Sequence, residues 1–172
     1  MLKKRDIICI SSIDWDFVWQ GHQEIMSTFA RHGNRVLFIE NTGVRTPTFK
    51  DISRILSRLR NRIKSVKGFR QINDNLFIYS PLIIPLPFSR FFSRLNCQLM
   101  RPALKRWLKV MEFKRPLVWT FLPTQTALDI IDEVNPYLLV YYYIADFDQL
   151  VENKTKLRRT ETELIKRSDV IF

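Results

Sequence analysis

Two aspartates and a histidine near the start of the chain are its best candidates for acid–base chemistry. Asp14 and Asp16 follow the apolar run 7–10, and His22 comes shortly after them. Carboxylates in a crowded loop can reach the pKa of a general base, and a histidine beside them can exchange protons near neutral pH. The structural alternative stays open: the aspartates cap the next helix and solvate the loop, and His22 caps or packs.

The same stretch carries aromatic side chains. Trp15 and Trp19 could stack on a sugar ring or pin the loop to the core, and Gln20 and Gly21 lie between them and His22. The only other histidine, His32, ends the first predicted helix, where it fits a structural role at the helix's negative end.

Two apolar runs frame this loop and predict how it is positioned. The run 7–10 predicts a strand, 23–31 a helix, and 36–39 a second strand that stops at Glu40-Asn41-Thr42-Gly43. In such a βαβ unit both strands end at the same edge of the sheet, where open α/β sheets bind ligands. Asp146 and Asp148 follow a later strand, so we expect them at that edge as well.

The rest of the chain continues the alternation of helices and strands, and its last residues, 170–172, look like the first half of a strand. Thr124 is a predicted N-cap, Pro102 is expected to kink or break its helix, and residues 80–88 form a proline-rich loop. The remaining pattern predicts helices over 51–66, 89–112, 125–133 and 155–168 and strands over 76–79, 117–121 and 138–144. These elements predict an α/β domain with a mainly parallel sheet, in a chain that we expect to be the front part of a longer protein.

Composition and missing motifs exclude several classes of protein. The 172 residues are 46% hydrophobic, enough for a packed core. There is no Gly-x-Gly-x-x-Gly, no phosphate-binding loop and no zinc-like spacing of Cys and His, and Cys9 and Cys97 are expected to be buried or idle thiols. No apolar run approaches the length of a membrane span, and Asp6 after a short basic start argues against export, so the expected location is the cytoplasm.

Basic charge is concentrated in two segments of the chain. Residues 50–70 and 90–115 each hold eight basic residues and one acid, a net +7, within a chain of net charge +11. These predicted amphipathic helices have three interpretations: a solvated face, a nucleic-acid surface, or docking on an anionic membrane, which fits best. The residues expected to contact the membrane are Arg58, Arg62, Phe91, Phe92, Lys105, Arg106 and Trp107.

Five motifs, in order, give the chain a resemblance to a known family. They are residues 11–16, 19–24, 36–43 and 119–124 and the Tyr-Tyr-x-x-x-Asp-Phe of 141–147. Together they resemble the amino-terminal half of bacterial GT-B glycosyltransferases, in the family-4-like group that includes enzymes of the teichuronic-acid type.

The resemblance implies a single Rossmann-like, three-layer domain over residues 1–172, the acceptor-binding half of a hexosyltransferase-like enzyme of cell-envelope polysaccharide synthesis. The full enzyme would move a sugar from a nucleotide-sugar donor to a glycan or lipid-linked acceptor, peripherally at the inner face of the cytoplasmic membrane. A carboxyl-terminal domain, absent from this chain, would bind most of the donor, so the chain alone is expected to be inactive. No metal or cofactor is implied, because helix termini and basic residues take the charge of the leaving diphosphate.

Carried over residue by residue, the resemblance implies that the loop lines a cleft between two domains. Catalysis would fall to Asp14, Asp16 and His22, and the substrate-binding residues would be Trp15, Trp19, Gln20, Gly21, Glu40, Asn41, Thr42, Gly43, Thr120, Thr124 and Asp146. The family's Asp-Asp-Phe is here Ala145-Asp146-Phe147, so one carboxylate of a pair is missing.

Two other functions remain as alternatives: a non-catalytic domain of the same fold that binds a membrane surface or a protein, and, less favoured, a nucleic-acid-binding domain. Donor sugar, acceptor and stereochemistry depend mostly on the other half of such an enzyme.

Overall fold

The structure is a computed structural model that describes residues 3–40, 68–81, 90–144 and 154–172, with the backbone alone for 90–93. The predicted helix 51–66 and most of the proline-rich loop lie outside these residues. In chain order the elements are β1 (Asp6–Ile10), α1 (Gly21–Arg31), β2 (Arg35–Ile39), β3 (Phe69–Asn73), β4 (Leu76–Tyr79), α2 (Arg90–Val110), β5 (Leu117–Thr120), α3 (Gln125–Val134), β6 (Leu138–Tyr141), α4 (Lys154–Arg167) and β7 (Val170–Ile171).

The seven strands form one sheet in the order β3-β4-β2-β1-β5-β6-β7. Every neighbouring pair is parallel except β3 and β4, which are antiparallel. β1 lies at the centre, where Ile7 is paired with Val36 on one side and Leu117 on the other. This is the predicted α/β architecture with a mainly parallel sheet, and it is consistent with a Rossmann-like three-layer fold.

After their first residues, Asp6 and Arg35, the central strands β1 and β2 are entirely apolar and buried, because both faces of the sheet are covered. On one face Ile8 and Leu37 pack in a cluster that includes Leu104 of α2, Leu128 of α3 and Leu164 of α4. On the other face Ile7, Cys9, Val36 and Phe38 pack with Met26 of α1. Successive residues of one strand therefore enter different cores, as the alternation of side chains along a strand requires.

The thiols and His32 take the structural places expected of them. Burial raises the pKa of the Cys9 thiol well above its usual range, and Cys97 is a half-buried free thiol. His32 Nδ1 lies 2.7 Å from the Thr28 carbonyl oxygen at the end of α1.

β3 is the element that the sequence pattern did not predict. Its residues Arg70, Gln71 and Asn73 are polar, so no apolar alternation marks the strand, and its pairing with β4 creates it. Gly68 begins this hairpin at φ +89°, and a Cβ there would lie 2.7 Å from the Ser80 carbonyl oxygen, so glycine is required.

Two expectations from the sequence are corrected. Of the kink or break expected at Pro102, the break does not occur: α2 continues through Pro102, and Met100 and Leu104 on either side of the proline are both buried in the core. The strand predicted over 138–144 ends at Tyr141, which is paired with Thr120, the last residue of its other neighbour β5.

Arg35, the first residue of β2, ties the amino end of the sheet to the end of α2. Its guanidinium donates to Asp6, to the Met111 carbonyl at 2.7 Å and to the Glu112 carbonyl at 3.2 Å, and it lies over the Phe113 ring. These carbonyls close the carboxyl end of α2, where a positive charge is favourable. Among the described residues, no helix is both long enough and apolar enough to cross a membrane.

Candidate functional site

The candidate site lies at the edge of the sheet where the parallel strands end. The loop 11–20 follows β1, Glu40 follows β2, Ser80 follows β4, and residues 121–124 follow β5. The predicted meeting of the first loop with the end of the second strand is confirmed, since the Ser11 amide donates to the Ile39 carbonyl at 3.0 Å and the Trp15 amide donates to Glu40.

Glu40 is buried beneath the loop, with 5% of its surface exposed. One carboxylate oxygen accepts from the Trp15 amide at 3.0 Å, and the other accepts from the Ser80 hydroxyl at 2.5 Å. Burial raises the pKa of Glu40 and the nearby charge of Asp14 adds to this, while the bond from Ser80 acts in the opposite direction. Both oxygens serve the protein's own groups, so Glu40 holds the loop in place.

Arg70 of β3 completes this cluster and was missed in the sequence. Its Nη2 lies 2.7 Å from an Asp16 oxygen and 3.4 Å from Glu40. In the sequence Arg70 belongs to the basic segment 50–70, and only the register of the β3–β4 hairpin shows that it reaches the loop after β1.

The two loop aspartates differ in exposure. Asp16 keeps 59% of its side chain exposed while it pairs with Arg70. Asp14 is half-buried, and its carbonyl accepts from the Phe17 amide at 3.2 Å, which closes a turn. Gln20 immediately precedes α1, and its amide donates to the Gln23 side chain at 2.9 Å, so neither aspartate occupies the helix cap. Asp16 is therefore the more exposed of the two carboxylates.

His22 lies in the second position of α1 and is 5% exposed. Its Nε2 is 2.9 Å from the Ser12 hydroxyl, and its ring centroid is 3.9 Å from that of Phe121. Burial lowers the pKa of His22 from 6.5 to about 4, so the ring is uncharged at neutral pH. This geometry favours the alternative in which His22 packs, and His22 meets the site through Ser12 and Phe121.

The two loop tryptophans have opposite roles. Trp15 is 9% exposed and packs edge-on against Phe38, so it pins the loop to the core. Trp19 is 53% exposed, as its neighbours Phe17 (44%) and Val18 (69%) also are, and its indole nitrogen donates to Glu24 at 2.9 Å. Gln20 and Gly21 are exposed beside it.

Two predicted substrate contacts are internal to the protein. Thr120 is fully buried, and its hydroxyl bonds the backbone of Leu122. Thr124 is 5% exposed and caps α3 by accepting from the Ala127 amide, as predicted for an N-cap. Burial removes Thr120 and Thr124 from direct contact with a substrate. The other predicted substrate contacts, Asn41, Thr42, Gly43 and Asp146, lie outside the described residues.

The residues predicted to contact a membrane are only partly described. Trp107 is half-buried, and its ring stacks on Phe69 with centroids 5.3 Å apart, so it holds α2 against the sheet and is not the exposed anchor expected. Lys105 pairs with Glu133 at 2.7 Å, and Arg106 is exposed. Arg58 and Arg62, and the side chains of Phe91 and Phe92, lie outside the described part.

Fold and site together define an α/β domain with a charged, aromatic loop at the carboxyl edge of a mainly parallel sheet, the edge at which such folds bind ligands. No known family model, curated protein or solved structure matches the chain. Within the described residues, no group of three or more His, Cys, Asp or Glu side chains is placed to hold a metal ion.

Proposed function

We propose that this domain binds the acceptor of a glycosyltransferase of the GT-B type and supplies its general base. One observation carries the proposal: Asp16, an exposed carboxylate at the carboxyl edge of the sheet, is held at 2.7 Å by the Arg70 guanidinium. A solvent-facing carboxylate held in one direction is what a reacting hydroxyl needs from a base.

The chemistry follows from this placement. An acceptor hydroxyl donates a hydrogen bond to Asp16, and its oxygen forms a bond to the anomeric carbon of the donor sugar. The bond from that carbon to the diphosphate oxygen breaks, and the hydroxyl proton passes to Asp16. Arg70 keeps the carboxylate oriented, and the buried Glu40 beneath it fixes both the loop and Arg70.

The donor in this proposal is a nucleotide sugar held mainly by a separate donor-binding domain, and the acceptor is a cell-surface glycan or its lipid-linked precursor. The leaving diphosphate is stabilised by helix termini and basic residues, without a resident cofactor. The sequence resemblance supports this division of labour, and so does the lack of any glycine-rich phosphate loop after β1.

A location at the inner face of the cytoplasmic membrane is part of the proposal. α2 exposes Arg94, Arg106 and Lys109, and its exposed residues 99 and 110 are apolar. Arg101 and Lys105 of the same helix are partly neutralised by Glu133. An exposed basic face of this kind is attracted to anionic lipids, which also suits the alternative of a non-catalytic membrane-surface domain.

Transfer assays distinguish the enzyme from that alternative. The protein in which this domain is joined to a donor-binding domain would be supplied with labelled UDP-, GDP- and dTDP-sugars and bacterial membranes as acceptor. Asp16→Asn should lower the rate about a hundredfold or more. Asp74→Asn changes another exposed carboxylate, in the turn between β3 and β4, and is the matched control that should leave the rate unchanged. Transfer by Asp16→Asn at the wild-type rate would refute the role of Asp16, and no transfer from any donor would favour the non-catalytic domain.

A further inference from the structure

Trp19 combines exposure with fixed orientation. Its side chain is 53% exposed, yet its indole nitrogen donates to Glu24 at 2.9 Å and its ring meets the edge of Trp15 with centroids 5.6 Å apart. Trp15 is itself anchored, because its amide donates to buried Glu40 and its ring packs on Phe38. The exposed indole is therefore held before any ligand arrives.

Glu24 is fixed on its other side by α1. Its second oxygen accepts from Arg31 at 2.8 Å and from Thr28 at 3.4 Å. The hydrogen bond from Trp19 has the largest effect on the pKa of Glu24, and together with the bond from Arg31 it lowers this pKa. A surface aromatic side chain ordinarily loses conformational entropy when it binds a ligand. The Trp19 side chain is already held in the free protein, so binding a ligand costs it less of this entropy.

The charges around Trp19 restrict what can bind to it. Residues 11–31 contain three acids and one Arg, although the chain carries +11 overall, and the acids Asp16 and Glu24 are paired with Arg70 and Arg31. This part of the surface therefore lacks the excess of positive charge that binding to nucleic acids or anionic lipids requires. A neutral ligand with an apolar face and hydroxyl groups needs no such excess, and the Asp16–Arg70 pair, whose aspartate lies three residues before Trp19, offers both acceptors and donors for hydroxyls.

We propose that the exposed face of Trp19 is a stacking platform for a pyranose ring of the acceptor, and that Glu24 is the positioning residue that orients it. The apolar C–H face of the sugar covers the indole while its hydroxyls point toward Asp16 and Arg70. This inference rests on the proposed function, because it names the acceptor subsite of the same edge.

The test is binding of the fluorescently labelled 172-residue chain to an array of defined bacterial glycans. Wild-type protein should bind a set of pyranose-containing glycans, Trp19→Ala should weaken that binding about tenfold, and Trp19→Phe should retain part of it. Val18→Ala, the adjacent and more exposed residue, is the control and should bind like wild type. Absence of glycan binding by wild type, or equal binding by Trp19→Ala, would overturn the inference.

Glu24 has a readout of its own. Glu24→Ala should weaken glycan binding several-fold and shift the indole ¹H–¹⁵N signal of Trp19 in the free protein, while Glu24→Gln, which keeps an acceptor oxygen, should restore both. Glu163→Ala, an exposed glutamate of α4, should change neither. If the indole signal of Trp19 does not shift in Glu24→Ala, Glu24 does not orient Trp19.

The two proposals fail separately. Glycan binding through Trp19 in a protein that never transfers sugar would sustain this inference and refute the transferase. Sugar transfer at an unchanged rate in Trp19→Ala would sustain the transferase and refute the role of Trp19 as a stacking platform. A blue shift of Trp19 emission on anionic vesicles, with no glycan bound, would show that the exposed residues 17–19 contact a membrane. It would overturn the proposal that Trp19 stacks on a sugar.

Discussion

Acidification should destabilise this domain through His22. Burial holds the pKa of this histidine at about 4, against 6.5 for an ordinary histidine. Because the folded-state pKa is the lower one, the neutral ring contributes stability that is complete above pH 6.5 and is lost as the pH falls toward 4. Each unit of pKa difference corresponds to about 1.4 kcal/mol, so the loss reaches at most about 3 kcal/mol at the acid end of that window.

Urea denaturation of wild type and His22→Gln between pH 7 and pH 4 measures this contribution. Glutamine keeps a polar group near Ser12 but cannot take the charge, so the stability difference between the two proteins should change by up to about 3 kcal/mol across the window. With a slope near 2 kcal/mol per molar urea, the midpoints should move relative to each other by about 1 to 1.5 M. Other titrating groups are common to both proteins and cancel in the comparison.

His32→Gln is the control, because that histidine is exposed at the end of α1. Because this variant keeps His22, it should still lose stability as the pH falls toward 4. Parallel profiles for wild type and His22→Gln would refute the assignment of a buried, neutral His22 bonded to Ser12.

Three further perturbations test the fold and its surfaces. Glu40→Ala leaves the buried Trp15 amide without its acceptor and should lower the free energy of unfolding, measured in urea, by about 2 to 4 kcal/mol. Replacing an exposed carboxylate by alanine should lower it by less than about 0.5 kcal/mol. Arg35→Met keeps the apolar stem but removes the bonds to Asp6 and to the end of α2, and should cost about 2 kcal/mol. The double reversal Arg106→Glu with Lys109→Glu should lower partition onto anionic vesicles at least about tenfold at low salt.

Each of these results has a contradicting outcome. A Glu40→Ala protein with the wild-type urea midpoint would show that the carboxylate does not hold the loop. An unchanged midpoint for Arg35→Met would mean that α2 closes its carboxyl end without the arginine. Vesicle flotation unaffected by the double reversal, or equally reduced by reversing Lys154 and Arg159 on α4, would refute docking through α2.

The parallel core of the sheet was predictable because burial on both faces leaves a plain signal. The apolar runs at β1 and β2, and the polar break after each, predicted the strands and the edge at which their loops meet. β3 left no such signal, since its polar residues become a strand only through pairing with β4. At Pro102 the local rule favours a break in the helix, but α2 is continuous there because tertiary packing holds it.

The residues of the loop could be predicted from the sequence, but the residues that contact them from other elements could not. Asp14, Asp16, Trp15 and Trp19 could be found from residue type and position after a strand. The contact between His22 and Phe121 joins residues far apart in the chain, and the resulting burial removes the charge that made the histidine attractive. Arg70 reaches Asp16 across two strands by a route that no local pattern encodes.

The proposal as a whole depends on the carboxyl edge of the sheet being the acceptor site. The most direct measurement is a titration of the ¹⁵N-labelled chain with the glycan that binds best on the array, followed through backbone amide shifts. We expect the largest shifts in the loop 14–19 and at Arg70, and no shift in the turn at Asp74. Shifts centred on that turn, or equal shifts for a glycan that the array rejects, would contradict it.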